Sequence, residues 1–180
     1  MIRVIGGKYR HRVLNQPDLS ITRCTKDSTR EGLFSSLGDV QNKSFLDLFG
    51  GSGACGIEAY SRGSSLVYIN ELNKSAFTII KDNLNSLKID EINLLNSDYL
   101  DALKELNKKG VTFDIVFLDP PYKMHFDFSI INLLNEYKVL KNKNIVILET
   151  DYKLDTNIEI GYNIKELKYG KTYVYILRSV

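Results

Sequence analysis

The chain has 180 residues, a length that one hydrophobic core serves, so a single domain is expected. With 43% hydrophobic and 26% charged residues it has the composition of a soluble globular protein that can bury a core without staples. The formal charge of +2 hides an asymmetry: residues 1–30 hold Arg3, Lys8, Arg10, Arg12, Arg23, Lys26 and Arg30 against Asp18 and Asp27, a surplus of five that leaves the remainder at −3. A basic arm on a mildly acidic body is the footprint of a phosphate-binding surface, or else a solvated basic strand.

The N-terminus, Met1-Ile2-Arg3-Val4-Ile5-Gly6-Gly7, has no apolar core of a signal peptide and no small-residue cleavage site. Runs such as Phe113–Leu118 are far too short to span a bilayer, so a cytoplasmic protein is expected. Residues 1–22 read as a basic β-hairpin or extended arm: Arg3-Val4-Ile5 and Tyr9–Leu14 alternate about the hinge Gly6-Gly7. The body takes residues 23–180. It opens with a helix over 25–37, capped by Thr25 or Asp27, with Leu33, Phe34 and Leu37 on its apolar face.

From Ser44 onward strands and helices alternate. Strands are expected at Ser44–Phe49, Leu66–Ile69, Ile92–Leu95, Asp114–Leu118 and Asn144–Glu149, and helices at Ala54–Arg62, Lys74–Leu87, Tyr99–Lys108 and His125–Glu136. This alternation predicts an α/β fold, a parallel doubly wound sheet with helices on both faces. Ile158–Leu167 and Thr172–Arg178, joined by Tyr169-Gly170-Lys171, close it with an antiparallel pair. Cys24 and Cys55 lack Cys-x-x-Cys spacing and read as free thiols, while His11 and His125 lack metal-ligand spacing, so no metal is expected.

The first strand of the body runs into Gly50-Gly51-Ser52-Gly53-Ala54-Cys55-Gly56. Ligands bind at the carboxyl ends of the strands in such sheets, and glycines let the backbone approach them. The Gly-x-Gly-x-x-Gly spacing alone also fits a dinucleotide. Asp47, just before the loop, suits the ammonium of an amino-acid cofactor, which a pyrophosphate does not supply. Glu71 can accept from ribose hydroxyls, a property of NAD and S-adenosylmethionine alike. Asp98 is either an acceptor for an adenine amine or the N-cap of the helix from Tyr99.

The fourth strand delivers Asp119-Pro120-Pro121-Tyr122, the most specific motif in the chain. The prolines fix φ and remove two backbone donors. The exocyclic amine of a base is a weak nucleophile, because its lone pair is delocalised into the ring. The Asp119 carboxylate and Pro120 carbonyl can bind its two hydrogens and aim the nitrogen at a methyl donor. Catalysis is then positioning and charge stabilisation. Tyr122 offers a face for an extruded base.

These residues resemble the bacterial 16S ribosomal RNA guanine-N2 methyltransferases of the RsmD type over essentially the whole chain. The resemblance is carried by Arg3–Arg10, Arg23–Phe34, Leu46–Ala59, Ser61-Arg62-Gly63, Phe117–Tyr122 and Tyr169–Thr172. It implies a seven-stranded class I methyltransferase sheet of Rossmann-like type and S-adenosylmethionine as cofactor. The substrate it implies is a guanine of 16S RNA, presented on a largely assembled 30S particle. The catalytic residues are then Asp119, Pro120, Pro121 and Tyr122. The cofactor-binding set is Thr25, Arg30, Asp47, Phe49, Gly51, Ser52, Gly53, Glu71, Leu72, Asp98, Tyr99 and Asp119. RNA contacts fall to Arg3, Lys8, Arg10, Arg12 and Arg23. The segment Thr25–Arg30 lies over the cofactor, or is an ordinary amphipathic helix. The chain departs from the family at Cys24, where a proline is usual, and at His11, where a small residue is common. A DNA amino methyltransferase, a protein glutamine methyltransferase, an NAD-dependent dehydrogenase and a non-catalytic RNA-binding protein are the competing readings. The dehydrogenase leaves Asp119–Tyr122 unexplained.

Overall fold

The computed structural model describes residues 2–18 and 26–180. Two short strands, β1 (Ile2–Arg3) and β2 (Val13–Leu14), pair antiparallel ahead of helix α1 (Asp27–Leu37). The alternating body follows: β3 (Ser44–Asp47), α2 (Ala54–Ser61), β4 (Leu66–Asn70), α3 (Lys74–Leu87), β5 (Asn93–Leu95), α4 (Tyr99–Lys108) and β6 (Phe113–Leu118). A 3-10 turn at Tyr122–Met124 leads to α5 (Ile130–Glu136), β7 (Leu140–Thr150), β8 (Tyr162–Tyr169) and β9 (Thr172–Ser179). The seven-stranded sheet runs in the order β5-β4-β3-β6-β7-β9-β8. The pairings among β3 to β7 are parallel, and β9 is antiparallel to both of its neighbours. This is the mostly parallel sheet with an antiparallel end that the resemblance implies.

The central strands are buried on both faces, so they read as continuous apolar runs whose alternate residues enter different cores. Phe45, Ile115, Phe117 and Ile147 meet Leu33 and Phe34 of α1, Ile57 of α2 and Ile80 of α3. Leu46, Val116, Leu118 and Leu148 meet Leu103 and Leu106 of α4 and Ile131 and Leu134 of α5. No helix among the described residues is long and apolar enough to cross a membrane.

Most element boundaries shift from expectation by a residue or two, and the departures with a structural consequence are at α1, α5, β7 and β8. The N-cap of α1 is Lys26, which makes no side-chain cap bond, and Asp27 is the first helical residue. Asp27 instead accepts from the Arg3 amide at 3.3 Å and from Arg30 at 3.0 Å. The other proposed cap, Thr25, lies outside the described residues. Helix α5 starts at Ile130 rather than His125, because His125 takes a left-handed φ of 46° and ends the preceding 3-10 turn. Strand β7 is longer than expected and begins at Leu140, and β8 begins at Tyr162 rather than Ile158.

The N-terminal hairpin packs on the body. Ile2, Val4 and Leu14 join the core over α2. At Gly7 (φ 75°) a Cβ would fall 1.8 Å from the Ser61 carbonyl oxygen, so a side chain has no room there. Glu58 of α2, fully buried, organises the junction. Its carboxylate accepts from the Ile5 and Gly6 amides, each at 2.8 Å, and from Arg62 Nε at 2.7 Å. Arg30 of α1, also fully buried, brings its Nε to 3.7 Å from Glu58 and donates to the Arg3 carbonyl. One carboxylate thus ties three chain segments together. Glu58→Ala removes the carboxylate beside the buried Arg30 and leaves two amides without their acceptor, and is expected to cost about 3–5 kcal/mol. A urea unfolding midpoint equal to the parent's would show that the clamp adds nothing to stability.

Candidate active site

The site is assembled where β3, β4, β5 and β6 end. Asp47 pairs in register with Ile69 of β4 and Phe117 of β6, so the three strands finish level. The residues just past those ends therefore converge, as in other open α/β sheets.

After Asp47 the chain turns through Gly51 (φ 57°) and Gly53 (φ 79°), both left-handed, and Gly53 is the N-cap of α2. The Gly51 amide donates to Glu71 Oε2 at 2.7 Å, and the Asn73 amide donates to Glu71 Oε1 at 2.7 Å. Glu71 thus staples the glycine loop to the entrance of α3. Burial raises the Glu71 pKa, opposed by those backbone bonds. The loop amide is engaged by a carboxylate, so it does not present itself to a phosphate. This arrangement disfavours a dinucleotide.

Asp47 is buried, and its Oδ2 accepts from the Gly56 amide at 3.2 Å. Its Oδ1 has no hydrogen-bond partner. Burial is the chief reason its pKa is pushed up to about 8; the Gly56 amide lowers it, and the nearby carboxylates of Asp119 and Glu71 raise it further. A buried oxygen with a lone pair and no donor fits a cationic ligand group.

A cavity of about 320 Å³ opens at this edge, within the range for small-molecule sites. Phe49, Glu71, Leu72, Asp98 and Tyr99 line one part of it, and Asp119–Tyr122 with Met124 line the other. Phe49 and Tyr99 pack ring to ring at 5.6 Å. Leu72 is 64% exposed, an apolar side chain left open beside the cavity. Asp98 caps α4, accepting from the Leu100 amide at 2.8 Å, and also faces the cavity. The N-cap reading of Asp98 therefore holds in the structure, and the residue remains placed for a second role.

The other expected residues fall elsewhere. Gly51, Gly53 and Ser52 form the loop beneath Glu71, and the Ser52 carbonyl accepts from Asn83 at 3.1 Å. Arg30 belongs to the Glu58 junction rather than to the cavity wall. Thr25 and Arg23 lie outside the described residues. Arg3, Lys8, Arg10 and Arg12 are exposed on the hairpin. The Lys8 amide donates to the Ser61 carbonyl, and Arg12 reaches the Ser86 carbonyl at 3.3 Å, so the hairpin turn sits at the C-terminal ends of α2 and α3. The cavity lies at the other end of α3, about 18 Å away along the helix. The arm and the Asp-Pro-Pro-Tyr motif are therefore not neighbours.

Asparagines with no role expected from the sequence hold the site together. Asn70 donates to the Leu48 carbonyl at 3.2 Å and to the Ser97 carbonyl at 3.0 Å, and its Oδ1 accepts from Ser97. Asn96 donates to the Glu71 carbonyl at 2.6 Å. The position of Asn70, a polar residue at a strand's carboxyl end, was the available signal. Met124, which also lines the cavity, carried none. Among the described residues no cluster of histidine, cysteine, aspartate and glutamate could hold a metal ion.

The profile of the family described as Conserved hypothetical protein 95 matches residues 2–178. The chain is 30% identical over 179 residues to the Ribosomal RNA small subunit methyltransferase D of Buchnera aphidicola subsp. Acyrthosiphon pisum, covering 97% of this chain and 93% of that protein. It is 36% identical over 151 residues to the protein of the same name from Escherichia coli K12, covering 83% and 75%. Among solved structures, yhhF of Escherichia coli is similar with a TM-score of 0.85 and 30% identity over 99% of this chain and 97% of that one.

The Asp47 carboxyl makes a signed pH prediction. A carboxyl whose pKa is raised on folding stabilises the fold most below its unfolded value near 4. That contribution is lost as pH rises toward about 8, where the folded group ionises. Asp47→Asn cannot ionise, so the ligand-free variant should melt above the parent at pH 8, with the gap closing toward pH 5. Parallel melting curves across that window would place the Asp47 pKa elsewhere.

Proposed function

Since the chain belongs to the Conserved hypothetical protein 95 family, we propose that it methylates the exocyclic N2 amine of a guanine in small-subunit ribosomal RNA, with S-adenosylmethionine as donor. The observation that carries this reading is one cavity bounded both by Glu71 and Asp98 and by the Asp-Pro-Pro-Tyr motif. The name of the Buchnera and Escherichia relatives supports its coarser part, methyl transfer to small-subunit ribosomal RNA.

The residues present fit the donor. Asp47, with its buried oxygen lacking a partner, would take the ammonium of the methionine part. Glu71 and Asp98 would face the ribose and adenine, with Phe49, Leu72 and Tyr99 as apolar walls. Three acidic groups at one edge suit a cation and repel a pyrophosphate. When bound, the donor supplies a methyl group made electrophilic by a sulfonium.

The rest is the work of the chain's own groups. The Pro121 carbonyl is occupied by the Met124 amide at 2.9 Å, so the acceptor role toward the base falls to the Pro120 carbonyl. That carbonyl and the Asp119 carboxylate take one hydrogen each from the amine and orient its nitrogen. As the new bond forms the nitrogen becomes acidic, and Asp119 or water accepts its proton. The Tyr122 ring supplies a stacking face for a base withdrawn from its neighbours. Apolar walls keep water from the sulfonium.

The basic arm fits a folded RNA better than a short oligonucleotide. Arg12 lies about 18 Å from the cavity along α3, so a substrate that reaches both must be extended and structured.

In cells lacking the protein, small-subunit RNA should lose one N2-methylguanosine, restored by the parent chain and not by Asp119→Ala. The purified Asp119→Ala variant should transfer methyl groups at least about a hundredfold more slowly, with S-adenosylhomocysteine affinity little changed. Full activity would remove Asp119 from the mechanism. Neutralising Arg10 and Arg12 together should weaken RNA binding and reduce the slope of log affinity against log salt by about two. An unchanged slope would assign the arm to structure alone.

A further inference from the structure

The connection after β7 reaches across to the loop that follows the Asp-Pro-Pro-Tyr motif, through one side chain that neither the motif nor the cavity lining includes. The Tyr152 hydroxyl donates to the Phe126 carbonyl. Tyr152 is itself held at its root: the Thr150 hydroxyl donates to the Tyr152 carbonyl at 2.6 Å, and the Leu154 amide donates to the Tyr175 hydroxyl at 2.8 Å. Tyr175 is fully buried in β9, and its ring meets Phe128 edge-on at 5.2 Å. The strut therefore starts from the rigid sheet.

Its other end is placed where the cavity is shaped. The Phe126 ring packs against Phe49 at 5.8 Å and Tyr99 at 5.4 Å, both cavity walls. Between Phe126 and the motif the chain makes one 3-10 turn and then the left-handed residue His125, whose ring lies against Tyr152 at 5.7 Å. His125 closes the 3-10 turn in that conformation, its amide donating to the Tyr122 carbonyl at 3.2 Å, and Tyr152 touches both His125 and Phe126 at this bend. Apart from Pro121–Met124 and Tyr122–His125, the loop has little backbone bonding of its own.

We propose that Tyr152 is a positioning residue for methyl transfer: its hydroxyl fixes the loop of residues 122–126, and through it the placement of Tyr122 and Asp119 relative to the cofactor walls. This role rests on the methyl-transfer reading. A loop released by a fraction of an ångström misaligns an in-line reaction while leaving the cofactor pocket standing.

The test is Tyr152→Phe, which keeps the ring and removes the bond. Tyr162→Phe serves as a matched control, because its hydroxyl donates to Asn144 Oδ1 at 3.0 Å, a residue outside the site. With small-subunit particles as substrate, Tyr152→Phe should lower kcat about ten- to hundredfold, with KM for S-adenosylmethionine and the Kd of S-adenosylhomocysteine within about twofold of the parent. Tyr162→Phe should keep kcat. Amide hydrogen exchange at residues 122–126 should quicken in Tyr152→Phe alone. Unchanged kcat with unchanged exchange would overturn the proposal, as would a kcat loss shared equally by both variants. The exchange result is independent of activity, so a parent chain that methylates nothing would sink the methyl-transfer reading while the strut itself is still judged.

Discussion

Three carboxylates, Asp47, Glu71 and Asp119, are gathered at one edge of the sheet because β3 pairs in register with both β4 and β6. Acidic groups brought that close and shielded from water must each be satisfied by donors, held protonated or matched by a cation. Glu71 takes the first course, using two backbone amides. Asp47 has one amide and a remaining oxygen with no donor, and its pKa rises to about 8. Asp47 thus takes the second course, held protonated below about pH 8, and a cation placed at its Oδ1 would favour the charged form instead.

The same constraint shapes the surrounding packing. Side-chain amides tie the strand ends together where further carboxylates would add repulsion. Asn70 links the ends of β3 and β4 to the loop after β5, and Asn96 reaches back to the Glu71 carbonyl. These neutral groups donate and accept at once, so they hold the loops without adding charge. Among the described residues a buried charged junction, Glu58 with Arg30 and Arg62, lies with the N-terminal hairpin, where it ties the hairpin to the body.

Two surfaces are thus separated along α3. The cavity lies at the carboxyl edge, and the exposed cations of the arm lie near the helix's far end. Such a division suits a large folded substrate, which can be gripped by its backbone at one place and presented at another. The Tyr152 hydrogen bond belongs to the first surface: it joins the connection after β7 to the loop beside the motif.

The alternation of strands and helices from Ser44 onward was legible because periodicity is a local property, and the matching α3 and α4 limits, Lys74–Leu87 and Tyr99–Lys108, follow from it. That Glu71, Asp98 and Asp119–Tyr122 would meet at one edge was legible for a related reason: in a parallel sheet, position just after a strand already implies the ligand edge, and all of them line the cavity there. Tertiary structure decided what depends on partners distant in sequence. The Tyr169–Thr172 hairpin was readable, but the insertion of β9 between β7 and β8 was not, since it depends on which edge accepts the last strand. The capture of Arg30 by Glu58, 28 positions away, was equally hidden. So was the start of α5 five residues late, after the chain turns through the left-handed His125. Local pattern selects the elements; only contacts across the fold select which charges are buried together, and burial is what gives Asp47 its chemistry.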